Sequence, residues 1–363
     1  MTGDEERMIN FTVGPVQSDE RVRKIGSENT PYFRTSEFSE IMLENERLMK
    51  KFAHASDEAR VVFITGSGTA SMEAAVINTL DENDKALIVN GGSFGSRFVQ
   101  ICEIHKIPHT EIKLEAGTVL KPEHLKEYEG AGYAAFLVNM GETSTGVLYD
   151  MDMISDFCKR NHLFLIVDAI STFLTDPFDM QKSGAGVMLT GSQKALAVPP
   201  GVSIMVLEKS ALDRIGRIDS GCLYLDLENA LKNGERGQTP FTPAVTTLLQ
   251  IHERLKMLDE TGIEAELLRC AEQARDFREK VKAFPFTPFA EVPSNCVTSL
   301  KVENKKAKVI FETLKNEYGI WICPNGGDMG ETVFRVGHIG ALTKEDNQKL
   351  IDAFADLQKR GIF

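Results

Sequence analysis

The chain has 363 residues, more than one ordinary hydrophobic core supports, so two packed domains are expected. Hydrophobic residues make up 42% and charged residues 26%, a globular composition with no apolar run long enough to span a bilayer. The formal net charge of −12 and the lack of any Lys/Arg-rich run argue against a sequence-independent grip on nucleic acid.

Residues 1–7 are acidic and polar, unlike a secretory leader. Beyond them, short β-rich apolar runs alternate with helical patterns. The runs fall at 61–65, 86–90, 134–139, 163–168, 186–190 and 202–207; the helical patterns fall at 71–80, 94–105 and 151–160. This alternation predicts an α/β fold with a buried, mostly parallel sheet and crossover helices. Residues 216–243 are rich in Gly, Asp, Asn, Thr and Pro and predict a long irregular connection. Residues 248–284 read as one or two long amphipathic helices. A smaller α/β unit follows: strand 297–302, helix 307–318, strand 332–336 and helix 344–359, with Thr343 and Asp346 as a capping box for the last. The expected division is a large domain over 15–250 and a small C-terminal domain over 251–363 together with 1–14. Six cysteines, at 102, 158, 222, 270, 296 and 323, show no metal-ligand spacing. They read as reduced thiols of a cytoplasmic protein without a metal site.

Three motifs carry chemistry. Thr65-Gly66-Ser67-Gly68-Thr69-Ala70 lies between a predicted strand and helix. Its glycines allow a tight turn that points amides at an anion, and the helix N-terminus adds a favourable dipole. Alone, the pattern serves equally as a plain turn, and it lacks the Gly-Lys-Ser/Thr of a Walker loop. Asp168, in Val167-Asp168-Ala169-Ile170-Ser171, ends an apolar strand, where open α/β sheets bind ligands. A helix cap or turn is the simpler reading of that aspartate on its own. Lys194, in Thr190-Gly191-Ser192-Gln193-Lys194-Ala195, follows a strand and has no charged neighbours. A lysine in an apolar pocket has a lowered pKa, which suits Schiff-base chemistry.

With these residues the sequence resembles the class V, fold-type I pyridoxal-phosphate aminotransferases. The likeness is to the subgroup of alanine–glyoxylate, serine–glyoxylate and 2-aminoethylphosphonate–pyruvate enzymes. It runs from Phe11-Thr12-Val13-Gly14-Pro15 to Arg335. Its most specific pieces are Gly66-Ser67-Gly68-Thr69, Gly141-Glu142-Thr143-Ser144-Thr145-Gly146, Asp168-Ala169-Ile170-Ser171 and Gly191-Ser192-Gln193-Lys194-Ala195-Leu196. The resemblance implies a large domain with a mostly parallel sheet, a smaller C-terminal α/β domain, and pyridoxal 5'-phosphate as cofactor. Lys194 and Asp168 are then catalytic: Lys194 binds the cofactor covalently and moves the proton, and Asp168 pairs with the ring nitrogen. Ser67, Gly68, Thr69 and Gln193 hold the phosphate, Phe94 and Ile170 cover the two ring faces, and Thr143 lies near the ring oxygen. Thr239 and Thr242 reach the phosphate of a neighbouring subunit, which implies a homodimer with shared sites. Arg335, with Gly14 and Arg34, binds the substrate carboxylate; a guanidinium fork suits that planar group. Without the resemblance, Phe94 reads as a core residue and Arg335 as an ion-pair partner of Glu331.

The sequence departs from the family where Phe33-Arg34 stands for His-Arg, which changes the substrate side of the site. Gly141 before Glu142 matches the alanine–glyoxylate type. The expected function is transfer of an amino group from a small donor to a 2-oxo acid such as glyoxylate or pyruvate, with 2-aminoethylphosphonate as an alternative donor. Three rival readings stand beside it. A lyase or cysteine desulfurase would use Cys323, a regulator would need a basic DNA-binding segment, and a Rossmann dehydrogenase would need glycine at Ser71.

Overall fold

The computed structural model describes residues 8–363; the acidic stretch 1–7 lies outside them. Seven strands form the large sheet: β1 Arg60–Thr65, β2 Ala86–Asn90, β3 His109–Lys113, β4 Ala135–Asn139, β5 Phe164–Asp168, β6 Ala185–Gly191 and β7 Val202–Leu207. Their order is β1-β7-β6-β5-β4-β2-β3. All neighbours are parallel except β7, which runs antiparallel to both β1 and β6. Successive side chains alternate between two cores. Leu87, Val89, Phe136, Val138, Leu165 and Val167 enter one, and Ala86, Ile88, Ala135, Leu137, Phe164 and Ile166 enter the other. A sheet covered on both faces has no solvent side, so its strands read as continuous apolar runs.

Helices connect and cover these strands. Besides the short helices Pro122–Leu125, Met180–Ser183 and Lys209–Ile215, they are in chain order α1 Glu20–Gly26, α2 Ser36–Phe52, α3 Gly68–Thr79, α4 Gly95–Ile104, α5 Met151–Asn161, α6 Leu227–Gly234, α7 Val245–Thr261, α8 Ile263–Val281, α9 Ala307–Tyr318 and α10 Lys344–Lys359. The α7–α8 break is Gly262, at φ +85, so the stretch read as one or two helices is two. The capping box of Thr343 and Asp346 forms at the start of α10.

Four elements differ from expectation. Residues 216–243 are not wholly irregular: α6 forms there, capped by Asp226, and buries Leu227. Strand β3 was not anticipated because His-Thr-Glu-Ile-Lys lies at the sheet edge, where only Ile112 is buried. The helices α1 and α2, begun by caps Asp19 and Thr35, carry mostly polar and charged residues around narrow apolar stripes.

A second sheet holds β8 Thr287–Pro288, β9 Val297–Lys301, β10 Cys323–Pro324 and β11 Val333–Gly337, in the order β8-β9-β11-β10. Its core is rich in phenylalanine: Phe277, Phe284, Phe286, Phe334 and Phe354 pack with Phe11 from the N-terminal segment. That segment also pairs Ile9 with Ile320 and Asn10 with Trp321. Among the described residues no helix is long and apolar enough to cross a membrane, and no cluster of potential metal ligands occurs.

Candidate active site

Strands β1, β2, β4, β5 and β6 point the same way, so their carboxyl ends deliver five loops to one edge of the sheet. Ligands of open α/β sheets bind at such an edge. The loops carry residues 66–69, 91–94, 140–143, 169–170 and 192–194. With Asp168 at the end of β5, these hold the site residues expected from the large sheet.

Asp168 ends β5 and is 5% exposed. Its register partner on β4 is Asn139. This brings Asn139 Nδ2 within 2.5 Å of Oδ2, while the Ile170 N–H donates to Oδ1 at 2.8 Å. Burial pushes the Asp168 pKa up to about 6, against the lowering effect of those two bonds. The Asn139 Oδ1 is buried without a partner. Asn139 was not anticipated from sequence; its signal is a polar residue closing the otherwise apolar Ala-Phe-Leu-Val run of β4.

Lys194 lies three residues beyond β6 and is 8% exposed. Its Nζ donates to the Val13 carbonyl at 2.6 Å. Burial pulls its pKa below the ordinary lysine value, and the charge of Arg335 adds to that effect. Gly14 allows the close approach: a Cβ there, at φ +123, would stand 2.9 Å from Lys194 Cδ and 3.0 Å from the Gln193 carbonyl.

Helix α3 opens at Gly68 with Ser67 as its N-cap, yet Ser67 makes no side-chain capping bond. The first turn therefore keeps amide donors free for an anion. A Cβ on Gly68 would stand 2.4 Å from Ile170 Cδ1, so any other residue there would have to turn the tip of Ile170 aside. Phe94 caps α4, half-buried. The buried carboxylate of Glu142 accepts the Phe94 N–H at 3.2 Å and the Gly95 N–H at 3.0 Å. It also accepts the Ser144 N–H at 3.1 Å and the Ser144 hydroxyl at 2.5 Å. An acceptor anion at a helix N-terminus is well matched to the dipole. Glu142 thus fixes where Phe94 begins its helix, a role the motif around it did not reveal.

Arg335 lies on β11 beside Ser299 of β9 and Cys323 of β10. Its Nη1 donates to the Thr143 carbonyl and its Nη2 to the Pro324 carbonyl, both at 2.9 Å. Two carbonyls orient the guanidinium without neutralising it. The Nε is buried and has no partner. Glu331, the alternative partner, instead pairs with Lys305 at 3.1 Å. Cys323 sits in a strand rather than on a loop, with its Sγ donating weakly to the Pro324 carbonyl at 3.6 Å.

Arg34, Thr239 and Thr242 form a separate group. Arg34 donates to the Thr239 carbonyl at 2.9 Å, the Pro240 carbonyl at 3.2 Å and Gln238 Oε1 at 3.3 Å. Its guanidinium also covers Phe33, 4.6 Å from the ring centroid. Phe33 is buried against Phe38, so the residue that departs from the family pattern fills core space. Thr239 is buried and donates to the Phe241 carbonyl at 2.8 Å, while Thr242 is exposed.

A model of the aminotransferase class-V family matches residues 27–336. The chain belongs to that family. It is therefore an enzyme of the pyridoxal-phosphate-dependent aminotransferases. An uncharacterized aminotransferase of Methanocaldococcus jannaschii is 32% identical over 85% of this chain and 81% of its own length. An L-aspartate–glyoxylate aminotransferase of Paracoccus denitrificans is 26% identical over 92% of this chain and 86% of its own. Among solved structures, an aspartate aminotransferase of Thermus thermophilus superposes with a TM-score of 0.88 at 25% identity, covering 97% of this chain and 99% of that one. This class-V likeness runs through both sheets, so the five loops and β11 belong to one shared fold.

Proposed function

We propose that this aminotransferase moves an amino group from a small donor to a 2-oxo acid such as glyoxylate or pyruvate. The observation that carries the reading is the buried Lys194, its Nζ on the Val13 carbonyl, in the loop after β6 at the same sheet edge where Asp168 ends the neighbouring β5. The residues fit pyridoxal phosphate: an uncapped helix start for a phosphate, a buried carboxylate for a protonated ring nitrogen, and a buried amine. When bound, the cofactor supplies an electron-withdrawing ring that stabilises negative charge at the substrate carbon.

This chain's residues do the rest. Lys194 Nζ holds the cofactor and, once free, takes the proton from the substrate carbon; burial keeps a larger share of it as the neutral amine. Asp168 would face the ring nitrogen as an anion, with Asn139 and the Ile170 N–H holding its orientation. Ser67, Gly68, Thr69 and Gln193 would hold the phosphate. Phe94 and Ile170 would cover the ring faces, and Thr143 would lie beside the ring oxygen. Arg335 offers its Nε–H to a substrate carboxylate near Gly14. We assign Arg34 to holding residues 238–240 in place, on the strength of its bonds there.

The reading includes a homodimer in which Thr239 and Thr242 reach the partner's phosphate. The exposed Leu223 and the stacked, exposed pair Tyr224 and Phe241 beside them favour a covering partner. Two folding units, 15–250 and 251–363 with 1–14, and a cytoplasmic setting complete it; the free state of all six cysteines supports the latter.

The test is a half-reaction screen. L-Alanine, L-serine, L-aspartate and 2-aminoethylphosphonate are each added to the holoenzyme, and loss of the cofactor's visible band is followed. Glyoxylate or pyruvate should then restore the band. A protein whose band responds to no amino donor, or is restored by neither acid, is not this enzyme. A response confined to 2-aminoethylphosphonate moves the donor to the phosphonates. For the dimer, mixing Lys194→Ala with Thr242→Ala subunits should give hybrid-site activity that differs from the mean of the two parents; an active monomer overturns it.

A further inference from the structure

The two residues assigned to the cofactor's ring faces both meet the phosphate loop, by different means. Ile170 lies directly against Gly68. Phe94 reaches the loop through Arg97, a residue to which neither the motifs nor the family assignment gave a role. Arg97 follows Phe94 by one turn of α4, so the two side chains share a face. Its guanidinium carbon lies 4.8 Å from the Phe94 ring centroid, and its Nη1 donates to Thr69 Oγ1 at 3.0 Å. Among the described residues Arg97 forms no ion pair, and it is half-buried.

Each contact has a physical consequence. A guanidinium over an aromatic face is drawn to the ring quadrupole, which restrains the ring's tilt. A hydroxyl has one proton and two acceptor positions. With Thr69 Oγ1 accepting from Arg97, its own proton is turned away from the guanidinium and is free to donate to an anion. A phosphate ester carries a charge of about −1.5 to −2 near neutral pH. The loop answers with neutral amides and hydroxyls and a helix end equivalent to roughly half a charge. A full positive charge one hydroxyl away closes most of that gap.

We propose that Arg97 is a positioning residue for the cofactor, tying the Phe94 ring to the Thr69 hydroxyl and supplying positive charge at the phosphate end of the site. The inference rests on the assignment of the phosphate to residues 67–69. Together with the Gly68–Ile170 contact, it makes the phosphate loop the common reference for both ring faces, so phosphate binding and ring orientation are set by the same few atoms.

The test compares Arg97→Met, Arg97→Lys, Thr69→Val and Ser67→Ala, reading the cofactor dissociation constant of each holoenzyme and the circular dichroism of its visible band. Arg97→Met should weaken cofactor binding about tenfold or more, the scale of one charge-assisted hydrogen bond, and should diminish the dichroism. Arg97→Lys keeps the charge and loses the planar fork, so it should recover part of the affinity and little of the dichroism. The Arg97→Met and Thr69→Val effects on affinity should combine less than additively, because they act through one hydroxyl. Parental affinity and dichroism in both Arg97 variants, with Thr69→Val weakened, overturn this proposal and leave the phosphate assignment standing. If Thr69→Val and Ser67→Ala both bind cofactor like the parent, the phosphate assignment falls and this proposal with it. Melting of the cofactor-free variants separates a folding defect, and Arg97→Lys keeps the comparison decisive should Arg97→Met misfold.

Discussion

Two buried aspartates sit in opposite kinds of surroundings. Asp176 accepts from the Ser294 hydroxyl at 2.8 Å, the Thr175 hydroxyl at 2.9 Å and the Asn295 N–H at 3.0 Å, with the Arg278 charge in reach. Arg278 in turn binds the Thr298 hydroxyl and the carbonyls of Ser294 and Val297, and Thr298 meets His338. Asp168 has two partners, and next to it Asn139 keeps an unpaired oxygen, while Arg335 keeps an unpaired N–H. Burial raises the pKa of both aspartates. Apart from the buried His338 Nδ1, which has no partner, the first network spends its bonding capacity on the protein itself and staples residues 175–176 to residues 294–298. The second keeps capacity in reserve, which is what a site for a charged ligand requires. Unpaired groups occur elsewhere in the interior too, at Ser203 and Arg254 for example; what sets Asn139 apart is its place beside a buried carboxylate at the ligand-binding edge of the sheet.

That contrast can be broken from either side. The largest effect should come from Lys194→Ala: no cofactor fixed to the protein by borohydride, and amino transfer slowed by ~10³-fold or more, since both attachment and proton transfer are lost. Fixation at a different lysine, found by peptide mapping, would sink the site. Next, Asp168→Asn should retain cofactor and slow transfer by about 10²–10³-fold, the scale of losing one electrostatic partner of the reacting charge. Asp176→Ala should do the reverse. It leaves the Thr175 and Ser294 hydroxyls and the Asn295 N–H without their shared acceptor, so denaturant unfolding should report a loss of about 3 kcal/mol, with turnover per folded molecule kept. Equal stability in that variant would mean that the closed network is no staple.

A sharper form uses pH. The Asp168 carboxyl titrates at about 6 in the folded protein, against an ordinary value of 3.8. Between those two values the folded state binds more protons than the unfolded state, so this group's contribution falls as pH rises and its cost is complete above pH 6. The shift corresponds to about 3 kcal/mol as an order of magnitude. Cofactor-free Asp168→Asn should therefore melt higher than its parent above pH 6 and gain nothing below pH 4. Rotation of the Asn139 amide supplies the acceptor that the new amide needs. A variant that gains equally at all pH values refutes the assignment of that cost to the ionised carboxylate. The smallest effect belongs to Arg335→Lys, which should raise the Michaelis constants for both amino and oxo acids by ~10-fold and leave cofactor absorbance unchanged. Loss of stability with parental constants would place Arg335 in the closed class with Arg278.

The same contrast explains what could be read in the sequence. The strand that ends at Asp168 and the one that leads into the Lys194 loop are legible because a sheet buried on both faces leaves long apolar runs. Edge strand β3 and helix α6 were not, since half-exposed elements carry the Glu, Lys, Asn and Gly that also mark loops. Lys194, Asp168 and the Ser67–Thr69 loop announce themselves by residue type beside such runs. Asn139, Glu142 and Arg97 do not. Each acts on a residue distant in sequence or through a turn of helix, and only strand register and loop packing bring Asn139 to Asp168 or Glu142 to the start of α4.

The route of the segment before Gly14 bears on how the enzyme is made. Ile9 pairs with Ile320, Phe11 is buried among side chains of the second sheet, and the next residue but one, Val13, gives its carbonyl to Lys194. Contacts of such sequence separation are closed late, after loop entropy has been paid along nearly the whole chain. During synthesis the large sheet and its lysine leave the ribosome well before Ile320 does, and domains fold as they emerge. Val13 packs into the core of the large sheet while Phe11, two residues before it, packs into that of the second, so the carbonyl that meets Lys194 is held from both sides only once residues 320–336 have been made.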